Sequence, residues 1–252
     1  MRERASGCSL TGLLGATYLP VMARTPVLSD VLKTLRRRYG RPAPPISTDP
    51  FQLILWEQVA YLVPDPQRRV AFRALQAQVG LQPKDILAAS AARLTAIARR
   101  GGAIAAADRA GRMRRSAELA VSRWNGNLKH LLKLPSPQAR GALASFPMIG
   151  EPGADKILCI TTSTRLLPLD SNGLRVLQRL GLSPPGRDYR HSYQAAQAAL
   201  AAAVPRTRAE RLTAYALLRE HGQTLCRRNE PLCLECPLRA SCPTGTTRSR
   251  ST

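Results

Sequence analysis

The chain has 252 residues, and its 38 Lys and Arg residues outnumber its 16 Asp and Glu residues to give a formal net charge of +22. A chain of this length can bury one large core or two smaller ones. Its hydrophobic fraction of 44% excludes a wholly disordered protein. It contains no apolar run of the roughly 18–20 residues that cross a bilayer, so we expect no membrane span. The charge favours a polyanionic partner such as nucleic acid, with a merely basic surface as the alternative.

Residues 1–21 combine a charged start with a short apolar stretch that glycine and threonine interrupt. A secretory signal shares some of these features. A start site placed too far upstream is the alternative, because a regular helical pattern opens at Met22. We expect a disordered or artefactual extension over 1–21, and a short tail over 245–252.

The rest of the chain predicts helices and no convincing sheet. Abundant Ala and an aromatic fraction of only 4% favour packed helices. Apolar residues recur at helical spacing over 25–39, and a Pro-rich linker follows at 41–50. The Gly- and Arg-rich stretch 99–115 predicts a basic connection. The further predicted helices cover 51–63, 67–79, 83–99, 113–123, 172–180, 190–203 and 207–221, with a helix–turn–helix over 136–160. The predicted fold class is all-α.

Four of the six cysteines stand together near the C-terminus, in the arrangement C-x6-C-x2-C-x5-C: Cys226, Cys233, Cys236 and Cys242. Four thiolates in one short segment suit a metal or an iron–sulfur cluster. Zinc sites usually contain two closely spaced pairs, and only one such pair is present. Disulfides require an oxidising compartment and usually a small Cys-rich domain. An iron–sulfur cluster is favoured, and zinc or disulfides stay open as alternatives.

The cysteine spacing, preceded by His221 and Gly222, resembles the [4Fe–4S] loop of the endonuclease III family of DNA glycosylases. This resemblance implies a structural [4Fe–4S] cluster held by the four cysteines. It also implies that the loop presents basic residues to the DNA backbone. The candidates in this sequence are Arg227, Arg228 and Arg239.

Residues 142–160 predict a helix, a tight turn and a second helix, and they resemble the hairpin of the same family. Met148 replaces the first hairpin glycine. Gly150 and Gly153 are expected to supply backbone freedom, and helix N-terminal amides would face a DNA phosphate. An ordinary pair of packed helices is the alternative interpretation of this segment.

Family members that also cut the DNA strand carry a Lys two residues after the second hairpin glycine. Pro152 stands there, and its nitrogen cannot form a Schiff base. Lys156 lies one helical turn later. We expect it to be a surface or phosphate-facing charge, with a relocated lyase nucleophile as the alternative.

The segment 168–181 resembles the one that carries the catalytic Asp of the family, and Asp170 occupies that position. Asp170 is also a candidate N-cap for a helix that begins near Asn172. Both roles are compatible, because a helix N-terminus favours an ionised carboxylate and an oxocarbenium-like sugar requires one. Asn172 resembles the Asn beside the catalytic Asp in monofunctional members.

Residues 49–58 align with the members that excise mismatched adenine or thymine, which places Glu57 on their catalytic Glu. Apolar surroundings would raise the pKa of Glu57 and let it protonate a leaving base or help activate water. A solvated position on the polar edge of the helix is the alternative. Tyr61 and Leu62 stand where the family often has a Gln that fills the gap in the duplex, and either can wedge into stacked bases.

The resemblance implies two all-α lobes with DNA bound across the cleft between them. An iron–sulfur lobe would comprise 22–43 and 165–244, and a six-helix barrel lobe 44–164, with the hairpin at about 137–160. The implied function is a monomeric, cytoplasmic DNA glycosylase associated with the nucleoid. It would flip a damaged or mismatched base out of double-stranded DNA and hydrolyse its N-glycosidic bond. A bifunctional glycosylase/lyase and a non-catalytic DNA-damage binder are the alternatives.

Overall fold

A computed structural model describes residues 26–248, so the predicted extension over 1–21 lies outside the described range. Within that range the chain forms α-helices and short 3-10 turns but no strand, which confirms the all-α prediction. None of these helices is long and apolar enough to span a membrane. The helices are α1 (Leu28–Tyr39), α2 (Pro50–Gln58), α3 (Asp65–Gln78), α4 (Pro83–Ala88), α5 (Ala91–Arg100), α6 (Ala106–Trp124), α7 (Ser136–Ala144), α8 (Glu151–Thr161), α9 (Ser171–Arg179), α10 (Tyr189–Leu200), α11 (Arg208–Thr224) and α12 (Pro243–Arg248).

Several helix boundaries differ from the sequence prediction, and α2 ends at Gln58 rather than at residue 63. The single helix predicted over 83–99 is two helices, because the Ser90 hydroxyl accepts the Arg93 N–H and starts α5 afresh. The basic connection predicted over 99–115 is wrong from Ala106 onward, where α6 begins. Ala105 stands before α6 in a left-handed conformation (φ 49°), which turns the chain into the new helix. At the C-terminus, α12 occupies the start of the predicted tail.

The buried apolar side chains form two clusters. The first is built by α2 to α8, with residues such as Ile54, Leu75 and Met113 at its centre. The second is built by α1 and the helices from α9 onward, with Leu35 and Leu177 among its buried members. The chain therefore starts in the second cluster, crosses to the first at α2 and returns after α8.

A buried polar contact joins the two clusters away from the cleft described below. The hydroxyl of Tyr193 on α10 donates to Oδ2 of Asp155 on α8 at 2.7 Å. Nε of Arg140 on α7 lies 2.6 Å from Oδ1 of the same carboxylate. Burial raises the pKa of Asp155 despite both partners. The contact fixes α8 against α10, and α8 carries residues of the candidate site.

Candidate active site

Asp170 is the N-cap residue of α9, as predicted. Its Oδ1 accepts the backbone N–H groups of Asn172 at 3.0 Å and Gly173 at 2.8 Å. Its Oδ2 accepts Nδ2 of Asn172 at 3.1 Å and Nη1 of Arg219 at 2.6 Å. A carboxylate offers about four lone-pair sites, so all of those on Asp170 are engaged. The group is held in one orientation and is suited to act through its charge rather than by accepting a proton.

Arg219 extends from α11 and joins Asp170 to a second carboxylate. Its Nη2 donates to Oδ1 of Asp65 at 2.6 Å, and Asp65 is the first residue of α3. Burial opposes the charge of Arg219, but Tyr215, Asp170 and Asp65 outweigh it and raise the guanidinium pKa. Burial likewise raises the pKa of Asp65, but the guanidinium of Arg219 and its other cationic neighbours outweigh burial and lower it. The arginine thus connects the two core clusters through a carboxylate on each side.

Glu57 forms an ion pair with Lys156 that the sequence did not predict. Nζ of Lys156, on α8, lies 2.5 Å from Oε1 of Glu57, on α2. Burial raises the pKa of Glu57, but Lys156 and Arg68 outweigh it, so the net shift is downward. The expected rise in the Glu57 pKa is therefore wrong. Lys156 is not the predicted surface charge either, since its side chain is largely buried and the Glu57 carboxylate raises its pKa against the effect of burial.

Both ion pairs surround Tyr215 on α11. The Lys156 ammonium lies 5.7 Å from the centre of the Tyr215 ring. Burial raises the pKa of the Tyr215 phenol, which also interacts electrostatically with Arg219, Asp170 and Glu57. Nearby Tyr189 has its pKa raised to about 12, first by burial and then by Asp170 and Tyr215. Glu57 and Asp170, far apart in sequence, thus both lie near Tyr215 at the junction of the two clusters, and this junction is the candidate cleft.

In the turn between α7 and α8, the left-handed backbone is at Met148 and not at the glycines that were predicted to supply backbone freedom. Met148 is left-handed (φ 66°) and exposed, so it adopts the conformation that a glycine would favour at its position. Gly150 has an extended backbone that any residue can adopt, and Gly153 lies inside α8. Gln58, next to Glu57, donates through Nε2 to the Pro147 carbonyl at 2.7 Å. The turn is therefore fixed directly to the helix that carries Glu57.

Tyr61 and Leu62 lie on an exposed loop after α2, and a second loop after α5 lies beside it. Leu62 is 75% exposed and left-handed (φ 52°), and Ile104 on the second loop is 57% exposed. The backbone N–H of Tyr61 donates to the Gly101 carbonyl at 3.3 Å. Arg109, only 2% exposed, donates to four backbone carbonyls of the two loops: those of Val59, Gly101, Gly102 and Ile104. One buried guanidinium therefore holds together two loops with apolar tips.

The four loop cysteines line one cavity that is partly open to solvent. Burial raises the pKa of the Cys236 thiol to about 11, and the other three thiols add to the rise. Nη1 of Arg179 lies 3.4 Å from Sγ of Cys226. Between residues 26 and 248, no three or more His, Cys, Asp or Glu side chains meet closely enough to hold a metal ion. In a [4Fe–4S] cluster each cysteine binds a different iron, so its thiols stand further apart than those around a single ion. The shared cavity and the donor set fit such a cluster.

Polar contacts lead from the cysteine loop to Asp170. Arg175 on α9 donates through Nε to the Cys226 carbonyl at 3.0 Å and through Nη2 to Oδ1 of Asn172 at 2.9 Å. Asn172 in turn donates to Asp170. A side chain at Gly222 would place its Cβ 2.7 Å from the Asn172 carbonyl, so only glycine permits this approach of α11 to α9. The loop is thereby coupled to the position of the Asp170 carboxylate.

No protein-family model matches the sequence, and no curated protein matches it. Solved structures do match over most of the chain. A trapped covalent endonuclease III–DNA intermediate has a TM-score of 0.68 at 18% identity, over 89% of this chain and 99% of that chain. A thermostable thymine-DNA glycosylase has a TM-score of 0.65 at 15% identity, over 87% of this chain and 97% of that chain. The H. pylori 3-methyladenine DNA glycosylase MagIII, bound to 1,N6-ethenoadenine, has a TM-score of 0.59 at 16% identity, over 79% of this chain and 99% of that chain.

The chain has the helix–hairpin–helix DNA glycosylase fold. The predicted fold is thereby confirmed. In this glycosylase fold the turn after α7 is the hairpin, and Pro152 is the second residue of the helix that follows it, where a missing backbone N–H is tolerated. Arg227 and Arg228 are exposed, and their carbonyls accept the Arg179 guanidinium at 2.7 Å and 3.0 Å. Arg239 is partly buried.

Sequence reasoning missed several residues of the glycosylase-fold cleft: Asp65, Tyr189, Tyr215 and Arg219. None of them belongs to a motif quoted above. One signal was available, because Tyr215 and Arg219 are four residues apart and therefore share a helix face. Arg109, which organises the two exposed loops, stood in the stretch assigned to a basic connection. Its role depends on carbonyls more than forty residues away in sequence, which no local pattern reveals.

Proposed function

We propose that this protein is a DNA glycosylase of base excision repair that flips a damaged or mismatched base out of duplex DNA and hydrolyses its N-glycosidic bond. The observation that carries the proposal is that Asp170 and Glu57, each in an ion pair, both lie near Tyr215 where the two core clusters of a helix–hairpin–helix DNA glycosylase fold meet. Two of the similar structures are endonuclease III complexes with DNA, which supports double-stranded DNA as the partner. We propose that the protein acts as a monomer.

Binding begins with the DNA backbone. The net charge of +22 favours the duplex at long range, and the exposed Arg227 and Arg228, with Arg239, are suited to contact phosphates. The hairpin, with Met148 at its tip and Gly150 and Gly153 behind it, presents the N-terminal amides of α8 to a phosphate. Such contacts fix the register of the protein on DNA without reading the sequence.

Flipping one nucleotide leaves a gap in the base stack. Tyr61 and Leu62 are apolar, exposed and rigidly mounted, so they are suited to fill that gap while the flipped base enters the cleft. Ile104 extends the same apolar tip from the neighbouring loop.

The two carboxylates take different roles because their surroundings differ. Asp170 has no free lone pair and serves as a fixed negative charge beside the oxocarbenium-like sugar. Among the described side chains, Lys156 alone pairs with the Glu57 carboxylate, which therefore keeps lone pairs for water. With its lowered pKa, Glu57 is ionised at neutral pH and accepts a proton from the attacking water. Asn172 orients Asp170 from one side of the cleft.

The reaction we propose is hydrolysis without strand cleavage. Pro152 offers no amine at the position of the lyase lysine. Lys156 is held as an ammonium ion by Glu57, and a protonated amine is not a nucleophile. The product is then an intact strand with an abasic site.

We further propose that Cys226, Cys233, Cys236 and Cys242 hold a [4Fe–4S] cluster with a structural role. When bound, the group would supply iron–thiolate bonds to the four cysteines and so fix the loop. The contacts of Arg175 then extend that rigidity to Asn172 and Asp170. The guanidinium of Arg179 adds a hydrogen bond of the kind that stabilises cluster-bound thiolates.

The test uses end-labelled duplexes that carry single lesions or mismatches, incubated with the protein and split into alkali-treated and untreated halves. Breaks only after alkali are the expected result. Breaks without alkali would instead establish a lyase, and loss of borohydride trapping in Lys156→Ala would identify its nucleophile. Binding without any breaks would contradict the enzyme and favour a DNA-damage binder.

Asp170→Asn separates catalysis from folding. We expect this variant to keep its DNA affinity and lose base excision. Asp188→Asn is the matched control, because Asp188 caps α10 with the same kind of hydrogen bond but lies outside the cleft contacts. Equal activity in the two variants would contradict a catalytic role for Asp170.

A further inference from the structure

The Asp170 carboxylate is not isolated, because a guanidinium touches it. Arg219 donates at 2.6 Å to Asp170 and at 2.6 Å to Asp65. A carboxylate neutralised by its own arginine would stabilise a developing sugar cation poorly, since the nearby positive charge opposes that cation. The arrangement therefore needs a feature that preserves the negative charge at Asp170.

Asp65 supplies that feature. It takes the other amino group of Arg219, so one positive charge is divided between two negative ones, and the three groups together carry a net charge of −1. Arg68 also lies near Asp65, with its Nε 3.9 Å from Oδ1. Its Nη1 donates to the Trp56 carbonyl at 2.8 Å and its guanidinium stacks on the Trp56 ring. Arg68 therefore adds positive charge near Asp65 but, unlike Arg219, does not bridge it to Asp170.

The position of Asp65 also matters. It begins α3 in the first core cluster, whereas Asp170 and Arg219 belong to helices of the second. Asp65 therefore holds the guanidinium from a helix of the first cluster, whereas Asp170 holds it from the second. Without that anchor, Arg219 would be free to pair with Asp170 alone.

We propose that Asp65 is a positioning residue that, by sharing Arg219, keeps the charge of Asp170 available to a cationic sugar in the cleft. This inference rests on the proposed glycosylase function and extends it to two residues outside every motif in the sequence. The charge-sharing arrangement would favour duplexes whose flipped sugar carries a positive charge. Asp65 acts through Arg219 and contacts no reacting atom.

The test compares the affinities of the full-length protein for two duplexes. One contains a tetrahydrofuran abasic analogue, which is neutral, and the other contains a pyrrolidine analogue, which is protonated. The ratio of their Kd values reports the charge that the cleft offers to the sugar and needs no turnover. We expect the wild-type protein to prefer the pyrrolidine duplex, and Asp65→Asn to reduce that preference roughly tenfold, as loss of one charge in a partly solvated cleft would. Arg219→Met should increase the preference.

Two controls guard against a merely structural effect. Asp65→Glu retains the charge and should retain the preference. Asp108→Asn removes an exposed acid from the first turn of α6 and should leave the ratio of the two Kd values unchanged. The inference would be overturned if Asp65→Asn changed the Kd for both duplexes by the same factor. It would also be overturned if the wild-type protein bound the two duplexes equally well.

The outcome is distinguishable from failure of the proposed function. Wild-type protein that excises bases but shows a preference insensitive to Asp65→Asn would reject only the role of Asp65. If the wild-type protein excises no base but prefers the pyrrolidine duplex, and Asp65→Asn loses that preference, hydrolysis is rejected and the charge-sharing arrangement is established.

Discussion

The ammonium group of Lys156 lies 2.5 Å from the carboxylate of Glu57, and the pair joins α8, the second helix of the hairpin, to α2. This contact makes Glu57 an ionised group at neutral pH rather than an acid with a raised pKa. It also makes the hairpin lysine a partner of the proposed catalytic Glu57 instead of a surface charge.

Replacing Lys156 by Met should therefore change both stability and pH dependence. The variant leaves the largely buried Glu57 without its hydrogen-bonded cation, which we expect to lower the free energy of unfolding by about 1–3 kcal/mol at pH 7. Because the pKa of Glu57 is lowered in the folded protein, this stabilisation is fully present above the ordinary Glu pKa of 4.5 and is lost as pH falls through the lower pKa of the folded state. Urea unfolding from pH 7 to pH 4 would show a shrinking difference in the free energy of unfolding between the wild-type protein and the variant.

The same variant should move the acidic limb of the excision rate to higher pH, since the pKa of Glu57 rises when its cation is removed. Lys129→Met is the matched control, because Lys129 is exposed and lies outside the cleft contacts. An acidic limb that stays in place would show that Glu57 does not govern the rate.

Leu62 permits a direct test of the strained loop tip. A left-handed backbone costs a residue with a Cβ roughly 1–2 kcal/mol, whereas glycine adopts it readily. Leu62→Gly should therefore be more stable than Leu62→Ala by about 0.5–1 kcal/mol, in spite of the entropy that glycine loses on folding. Thermal unfolding of the two variants gives this comparison.

Both Leu62 variants should weaken base flipping, because each lacks the apolar side chain that fills the gap. Fluorescence of 2-aminopurine placed beside the lesion measures the flipped fraction. A flipped fraction equal to that of the wild-type protein in both variants would contradict the role of Leu62 as a wedge.

Arg109 should matter for both stability and loop position. Arg109→Met removes the hydrogen bonds to four carbonyls, two of them buried, and we expect a loss of about 3–5 kcal/mol in the free energy of unfolding. Arg109→Lys keeps the charge but cannot reach all four carbonyls, so it should recover only part of the loss. Urea unfolding of the two variants tests the order, and a Met variant as stable as the Lys variant would contradict the clamp.

The sequence predicted the parts of this structure that local chemistry determines. The N-cap role of Asp170 follows from its own position before a helix, and the all-α fold follows from apolar spacing. The partners of Asp170 and Glu57 could not be predicted in the same way. Arg219 and Lys156 reach them from helices 49 and 99 positions later in the chain, so only the packing of the two core clusters brings the charges together. For the same reason, the predicted direction of the Glu57 pKa was wrong.

The cysteine loop offers the sharpest check of the cofactor. The four thiols share a cavity with the ring of His221, whose Nε2 lies 3.6 Å from Sγ of Cys236, and the proposed cluster takes the four cysteines as its ligands. Cys236→Ser should abolish the brown colour and the bound iron and sulfide measured on the purified protein. Cys159→Ser is the matched control, because Cys159 is fully buried in α8 and should lose stability while retaining iron. A colourless wild-type protein that contains zinc would contradict the iron–sulfur cluster. Loss of iron in Cys236→Ser together with loss of the analogue preference would show that the loop positions Asp170 through Arg175 and Asn172.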